Sequence, residues 1–141
     1  MDPKQVEVNK RAVRRVFEEA FNEGRLDVVD ECVSPLGVDR HPFADDEPDF
    51  PAHLKAAISM LRAVLPDLHM QVEDLIGEND RVAARVVLTG THTGEAFLGI
   101  EPTGRAVQVE QFHVVAFGDD GLGLQHWANV GIEQLVSQLT A

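Results

Sequence analysis

Apolar residues recur along this chain with two different periods. Val13, Val16, Phe17, Ala20 and Phe21 fall on one face of a helix, and Asn22-Glu23-Gly24 ends it. A short helical turn follows over Leu26–Cys32, and Val33–Phe43 reads as extended, broken by Pro35 and Gly37. Pro51 opens a second long helix whose stripe is Leu54, Ala57, Ile58, Leu61 and Leu65, and Pro66 stops it.

From there the period becomes two. Leu68, Met70 and Val72 alternate with His69, Gln71 and Glu73, the pattern of a half-buried strand. Gly77-Glu78-Asn79-Asp80 makes a turn, and Arg81–Thr91 is a strand apolar on nearly both faces. After a long Gly94–Gly104 loop come a strand over Ala106–Phe117, a hairpin turn at Gly118–Gly121 and a last strand over Leu122–Asn129. Ile132, Leu135, Val136 and Leu139 predict a closing helix. Helices followed by a run of antiparallel strands predict an α+β domain, with the helices packed against one face of a curved sheet.

The 141 residues fit a single domain over 1–141 with a substantial core. The 24 acidic and 12 basic residues give a formal charge of −12, and no basic run offsets it, so neither nucleic acid nor an anionic membrane is an expected partner. The N-terminal stretch MDPKQVEVNKR has no apolar core of the kind a secretory signal needs, and no apolar run approaches the ~20 residues of a membrane span. With one cysteine, Cys32, there is no disulfide framework. These features predict a cytoplasmic protein.

Candidate chemistry lies where polar side chains interrupt an inward-facing row. Val107, Val109, Gln111, His113, Val115 and Phe117 share one face of their strand, and Gln111 and His113 are its polar members. A buried histidine has its pKa lowered by burial and raised by a carboxylate, and it serves as an acid or base near neutral pH. On the last strand His126 shares a face with Leu124 and Ala128, while Trp127 lies on the other with Gln125. Both histidines have plain alternatives: a buried, hydrogen-bonded His113 and a rim His126. His41 precedes Pro42-Phe43 and is a candidate for a pocket mouth. His53, in the first turn of its helix, and His69, alternating with apolar residues, read as exposed, and His92 as part of turn chemistry. Metal and nucleotide sites have no support, because neither H-E-x-x-H, zinc spacing nor a phosphate-cradling glycine pattern occurs. Cys32 reads as an inert buried thiol.

The stretch VEDLIGENDRVAARVVLTGTHTGEAFLGIEPTGRAVQVEQFHVVAF, followed by a hairpin and QHW, resembles the SnoaL-like polyketide cyclases of the NTF2-like superfamily. The resemblance begins at FEEAFNEGRLDVVDE in the first helix and is most specific at THTGEAFLGIEPTGR and from QFH to HW. It implies a cone-shaped α+β barrel, a homodimer or higher oligomer, and a deep apolar pocket. It also implies ring closure of a polyketide ester by intramolecular aldol condensation, without metal or cofactor. In the family a glutamine and histidine two apart place the substrate, which Gln111 and His113 match. An aspartate after the tryptophan is the acid/base, and here that position is Ala128. The ketosteroid isomerase branch fits less well, since this chain has no tyrosine.

The resulting expectation is a hydrophobic, polyketide-like small molecule held in the barrel, and a cyclase-like or isomerase-like reaction run by histidine. His113 is the principal acid/base, Gln111 a donor to a carbonyl, and His126 a second base. His41, Phe43, Trp127, Ala128 and Phe17 are the pocket-wall candidates. A carboxylate from the acidic Asp45–Asp49 loop is a further source of a base. The alternatives are a non-catalytic ligand-binding module and a dimeric scaffold of the same fold.

Overall fold

The computed structural model describes residues 2–41 and 48–141. Helix α1 (Pro3–Arg15) starts where the Asp2 carboxylate accepts a hydrogen bond from the Lys4 amide at 2.9 Å, with Pro3 preset for the first turn. The helix runs on into a wider π-helical segment, Val16–Phe21. That segment stacks Phe17 on Phe21 with ring centroids 5.5 Å apart and turns both inward. At its end the Asn22 amide bonds both ways with the Met70 backbone, at 2.7 and 3.0 Å, and ties the helix to the sheet.

α2 (Asp27–Cys32), β1 (Val33–Asp39), α3 (Phe50–Val64), β2 (His69–Glu78), β3 (Arg81–Thr91), β4 (Ala106–Phe117), β5 (Gly123–Asn129) and α4 (Ile132–Thr140) follow. The α+β class and the run of strands β2 to β5 after α3 agree with the periodicity, but β1 comes between α2 and α3 rather than after the helices. The sheet order is β1-β5-β4-β3-β2. β2 to β5 form an antiparallel meander, but β1 joins the edge parallel to β5, with Asp39 in register with His126. The extended segment read from the sequence is therefore a sheet strand, and it brings a residue from the first third of the chain beside one from the last.

The helices cover one face of the sheet. Along β4, Val107, Val109, Gln111, His113 and Val115 point into that face, and Gln108, Glu110 and Phe112 point out. Ile58 of α3, Leu65, Met70 of β2 and Leu88 of β3 are almost wholly buried between the layers. Each such side chain contributes about 1.5–3 kcal/mol by leaving water. Gly131 makes the turn from β5 into α4: its φ is +69°, and a Cβ there would lie 2.5 Å from Val109 Cγ1. Among the described residues no helix is long and apolar enough to cross a membrane.

Candidate functional site

Between sheet and helices lies a largely apolar cavity with about 110 Å³ of free space. Val13 and Phe17 of α1 and its π segment, Leu54 and Leu61 of α3, and Leu135 of α4 form walls. Polar groups gather at one end: Asp39, His53, Gln111, His113 and His126, with His41 at the mouth. Among the described lining residues Asp39 is the one carboxylate.

The register explains how they meet. Across β4 and β5, His113 is paired with Ala128 and Val115 with His126, so the two histidines are diagonal neighbours on one face. On the other side His113 is paired with Ala84. Two alanines flanking it leave its ring room to turn along the sheet. His113 Nδ1 lies 2.9 Å from His126 Nε2, and His113 Nε2 lies 2.9 Å from Gln111 Oε1. Gln111 Nε2 donates to the Val130 carbonyl at 3.2 Å. Packing fixes both rings: Phe17 meets His113 edge-on at 5.0 Å, and Phe50 stacks parallel on His126 at 5.0 Å.

Asp39 anchors the other end. Its side chain is 1% exposed. Oδ2 lies 2.7 Å from His53 Nδ1 and 3.1 Å from His126 Nδ1, the second contact falling outside good hydrogen-bond alignment. Oδ1 accepts from the His41 amide at 3.0 Å. Burial pushes this carboxyl toward neutrality, and that is the largest single influence. The contacts to His126 and His53, with the His41 amide, together outweigh it and hold Asp39 well below the usual carboxylate range. His113 is displaced the other way. Burial first, then the nearby His126, lower its pKa to about 3 against a partial opposing pull from Asp39, so its imidazole is neutral. Burial likewise pushes the Cys32 thiol up, in keeping with an inert thiol.

The structure brings together Gln111 and His113, which alternation put on one face, His126 from β5 and Phe17 from the helical stripe. His41 stands at the mouth, its Nδ1 3.1 Å from the Ala128 carbonyl oxygen and 3.3 Å from the Ala128 amide. Ala128 pairs with His113 but is not among the cavity's lining residues; it lines the groove beside the mouth, with His41 and Val130. Trp127 is a correction: it pairs with Val114 on the opposite face, under the Arg81 guanidinium at 5.0 Å, and is not among the cavity's lining residues. His53 is a second correction, being 9% exposed rather than on the surface. Phe43 and residues 45–47 of the acidic loop lie outside the described residues. Asp49, the last of that loop, is exposed and accepts from the Ala52 amide at 2.9 Å as the cap of α3. His69 is exposed, as expected. His92 is fully buried, with Nε2 2.8 Å from the Glu95 carbonyl oxygen.

Asp39 was not singled out in the sequence. An acid directly after a buried-type valine in an extended segment was the available signal. For His53 the signal was its spacing, four residues before Ala57 of the apolar stripe. Among the described residues no three or more His, Cys, Asp or Glu side chains are placed to hold a metal ion.

The two displaced groups make stability depend on pH in a defined direction. As pH falls below about 6.5 the unfolded chain takes up a proton at His113, whereas the folded chain does not until about 3. Unfolding then binds a proton, so His113 lowers stability on acidification by up to ~1.4 kcal/mol per pH unit across that window. Asp39 acts in the same direction, but only below the ordinary carboxylate value of 3.8. Urea unfolding from pH 7 down to 4 should give a shallower decline in His113→Gln than in wild type. Equal slopes would mean that His113 titrates normally in the folded chain.

The family described as SnoaL-like polyketide cyclase matches residues 11–138. Aklanonic acid methyl ester cyclase AcmA of Streptomyces galilaeus is 32% identical over 109 residues, which are 77% of this chain and 74% of that protein. The structure of TsrD from Streptomyces laurentii superposes with a TM-score of 0.83 at 27% identity, covering 99% of this chain and 97% of that one. IdmH from Streptomyces antibioticus, a candidate polyketide cyclase, gives a TM-score of 0.79 at 26% identity, over 94% of this chain and 99% of that one.

Proposed function

The chain belongs to the SnoaL-like polyketide cyclase family, and from that premise we propose that it takes a hydrophobic, polyketide-like ester into its cavity. There it promotes an intramolecular aldol ring closure or an isomerisation by histidine acid–base chemistry, without a cofactor. The observation that carries this reading is the buried chain Asp39–His126–His113–Gln111 at the polar end of an otherwise apolar cavity. A carbon acid needs a proton acceptor within hydrogen-bond reach, and its enolate oxygen needs a donor. Both are supplied here in one place.

The roles differ from those expected of the sequence. His113, neutral and held from both sides by Gln111 and His126, is an orienting group. His126 is the acid/base, with Asp39 on Nδ1 leaving Nε2 as the working nitrogen, the division of labour that a carboxylate imposes on a histidine. Ala128 occupies the place where the family resemblance puts the aspartate. In this reading Asp39, reaching His126 from β1, supplies the carboxylate instead. The free space of about 110 Å³ suits one reacting ring. An adjoining groove shares His41, Val130 and Ile132 with the cavity and takes the rest of the molecule.

One observation favours a second reading. Both ring nitrogens of His113 and of His126 already lie 2.9–3.1 Å from polar neighbours. A pocket that only binds would look the same. Incubation with an anthraquinone-type polyketide methyl ester, followed by absorbance and product analysis, separates the two. Ring closure above the buffer rate supports the enzyme. Bound, unchanged ester supports the binding module. Neither binding nor turnover of any such ester defeats the substrate class.

A further inference from the structure

The hydrogen-bond chain through the site has a direction, and it can be followed atom by atom. The Val130 carbonyl oxygen only accepts, so the Gln111 nitrogen 3.2 Å away must be its NH2 group, and the Gln111 oxygen faces His113. That oxygen also only accepts, so His113 Nε2 carries a hydrogen. Burial keeps His113 neutral, and a neutral imidazole has one ring hydrogen. His113 Nδ1 is therefore bare and accepts, and His126 Nε2, 2.9 Å away, carries a hydrogen and donates. The far nitrogen of the same ring, His126 Nδ1, lies 3.1 Å from Asp39 Oδ2. Asp39 is ionised and only accepts. The contact is poorly aligned for a hydrogen bond, so its sign rests on charge: a bare, electron-rich Nδ1 beside the carboxylate is repelled, whereas a ring carrying a hydrogen and a positive charge there is attracted.

We propose that this one-way chain loads His126 with a hydrogen on both ring nitrogens, with Asp39 as its counter-ion and positioning residue, so that His126 enters the reaction as an acid before it acts as a base. A cation against a carboxylate is the form in which either charge tolerates burial. The groups facing the His126 ring agree with this. From β1 there is the Asp39 carboxylate, from β4 the neutral His113, and from α3 the Phe50 ring, with His53 on the shared carboxylate. His41 engages the Ala128 backbone. Among the described residues lining the cavity there is no lysine or arginine to displace the charge.

The consequence for chemistry rests on the function proposed above. The Nε2 proton of His126 passes to the carbonyl oxygen of the bound substrate, and the ring becomes neutral with its remaining hydrogen on Nδ1 against Asp39. Nε2 then takes the proton from the adjacent carbon. An O–H bond forms and a C–H bond breaks, the product is the enol, and His126 regains both hydrogens with no net change in protons.

Nitrogen-15 histidine spectra of the ligand-free protein test the loading without any substrate. At mildly alkaline pH, where an exposed histidine is neutral, one histidine should keep the near-equal ring shifts of an imidazolium. His126→Gln should remove that signal, and His113 should show a hydrogen on Nε2 only. In Asp39→Asn the His126 shifts should split into a neutral pattern. If that variant does not fold, Gln111→Leu provides the second measurement, with His113 no longer confined to one tautomer. A neutral His126 pattern in folded wild type overturns the inference. Because no turnover is read, that failure is distinct from failure of the cyclase reading, which an active protein with neutral His126 would keep.

Discussion

Replacing Asp39 with alanine is expected to cost roughly 3–5 kcal/mol of stability, the usual effect of removing one partner from a buried charged cluster. The carboxylate receives the His41 amide at 3.0 Å and His53 at 2.7 Å, and lies 3.1 Å from His126, all with its side chain 1% exposed. Truncation orphans these groups together and leaves a void between β1 and β5. Asp39→Asn keeps the shape and one acceptor oxygen, so about 1–3 kcal/mol is expected from a donor left unsatisfied. Urea unfolding at neutral pH, with the slope on denaturant unchanged, measures both. An Asp39→Ala protein within ~0.5 kcal/mol of wild type, the range of ordinary surface changes, would show that the carboxylate is solvated and the cluster loose.

For activity, the largest expected loss belongs to His126→Gln. If His126 moves the proton, kcat should fall by about 10²–10⁴-fold, the usual contribution of a placed general acid–base. Glutamine retains a hydrogen-bonding side chain of similar length, so the stability change should be smaller than for Asp39→Ala. His53→Gln alters a group that meets Asp39 Oδ2 rather than His126 itself and should reduce kcat by less than His126→Gln. Turnover of the same polyketide ester, read over a range of pH, checks both variants. A His126→Gln enzyme within twofold of wild type would sink the assignment and return His113 to consideration.

The parts of the site carried by β4 and β5 were legible in the chain. Gln111 and His113 fall in one row with Val107, Val109 and Val115, and His126 falls in one row with Ala128, so period two gives the shared face within each strand. The same rule put Trp127 on the opposite face, and the structure keeps it there under Arg81. The proposal of Trp127 as a pocket wall failed because it set aside that alternation. His53 was misread because a first-turn position is commonly exposed. Its spacing to Ala57 instead turns it onto the stripe that faces the sheet. Asp39 had no periodic signal strong enough to find it, since Pro35 and Gly37 interrupt its strand.

Local order in the sequence therefore determined which segments are helices or strands and which of their faces are buried, because those depend on residues a few positions apart. It also determined that Gln111 and His113 point the same way, while the pairing of β4 with β5 decided that His126 joins them. The tertiary structure decided what completes the site. Asp39 meets His126 only because β1 pairs parallel with β5, and Gln111 is oriented only because the chain turns at Gly131 and leaves the Val130 carbonyl within reach. These contacts join parts of the chain that fold topology alone brings together. The carboxylate at the end of the histidine cluster is therefore invisible to any reading confined to neighbours in sequence.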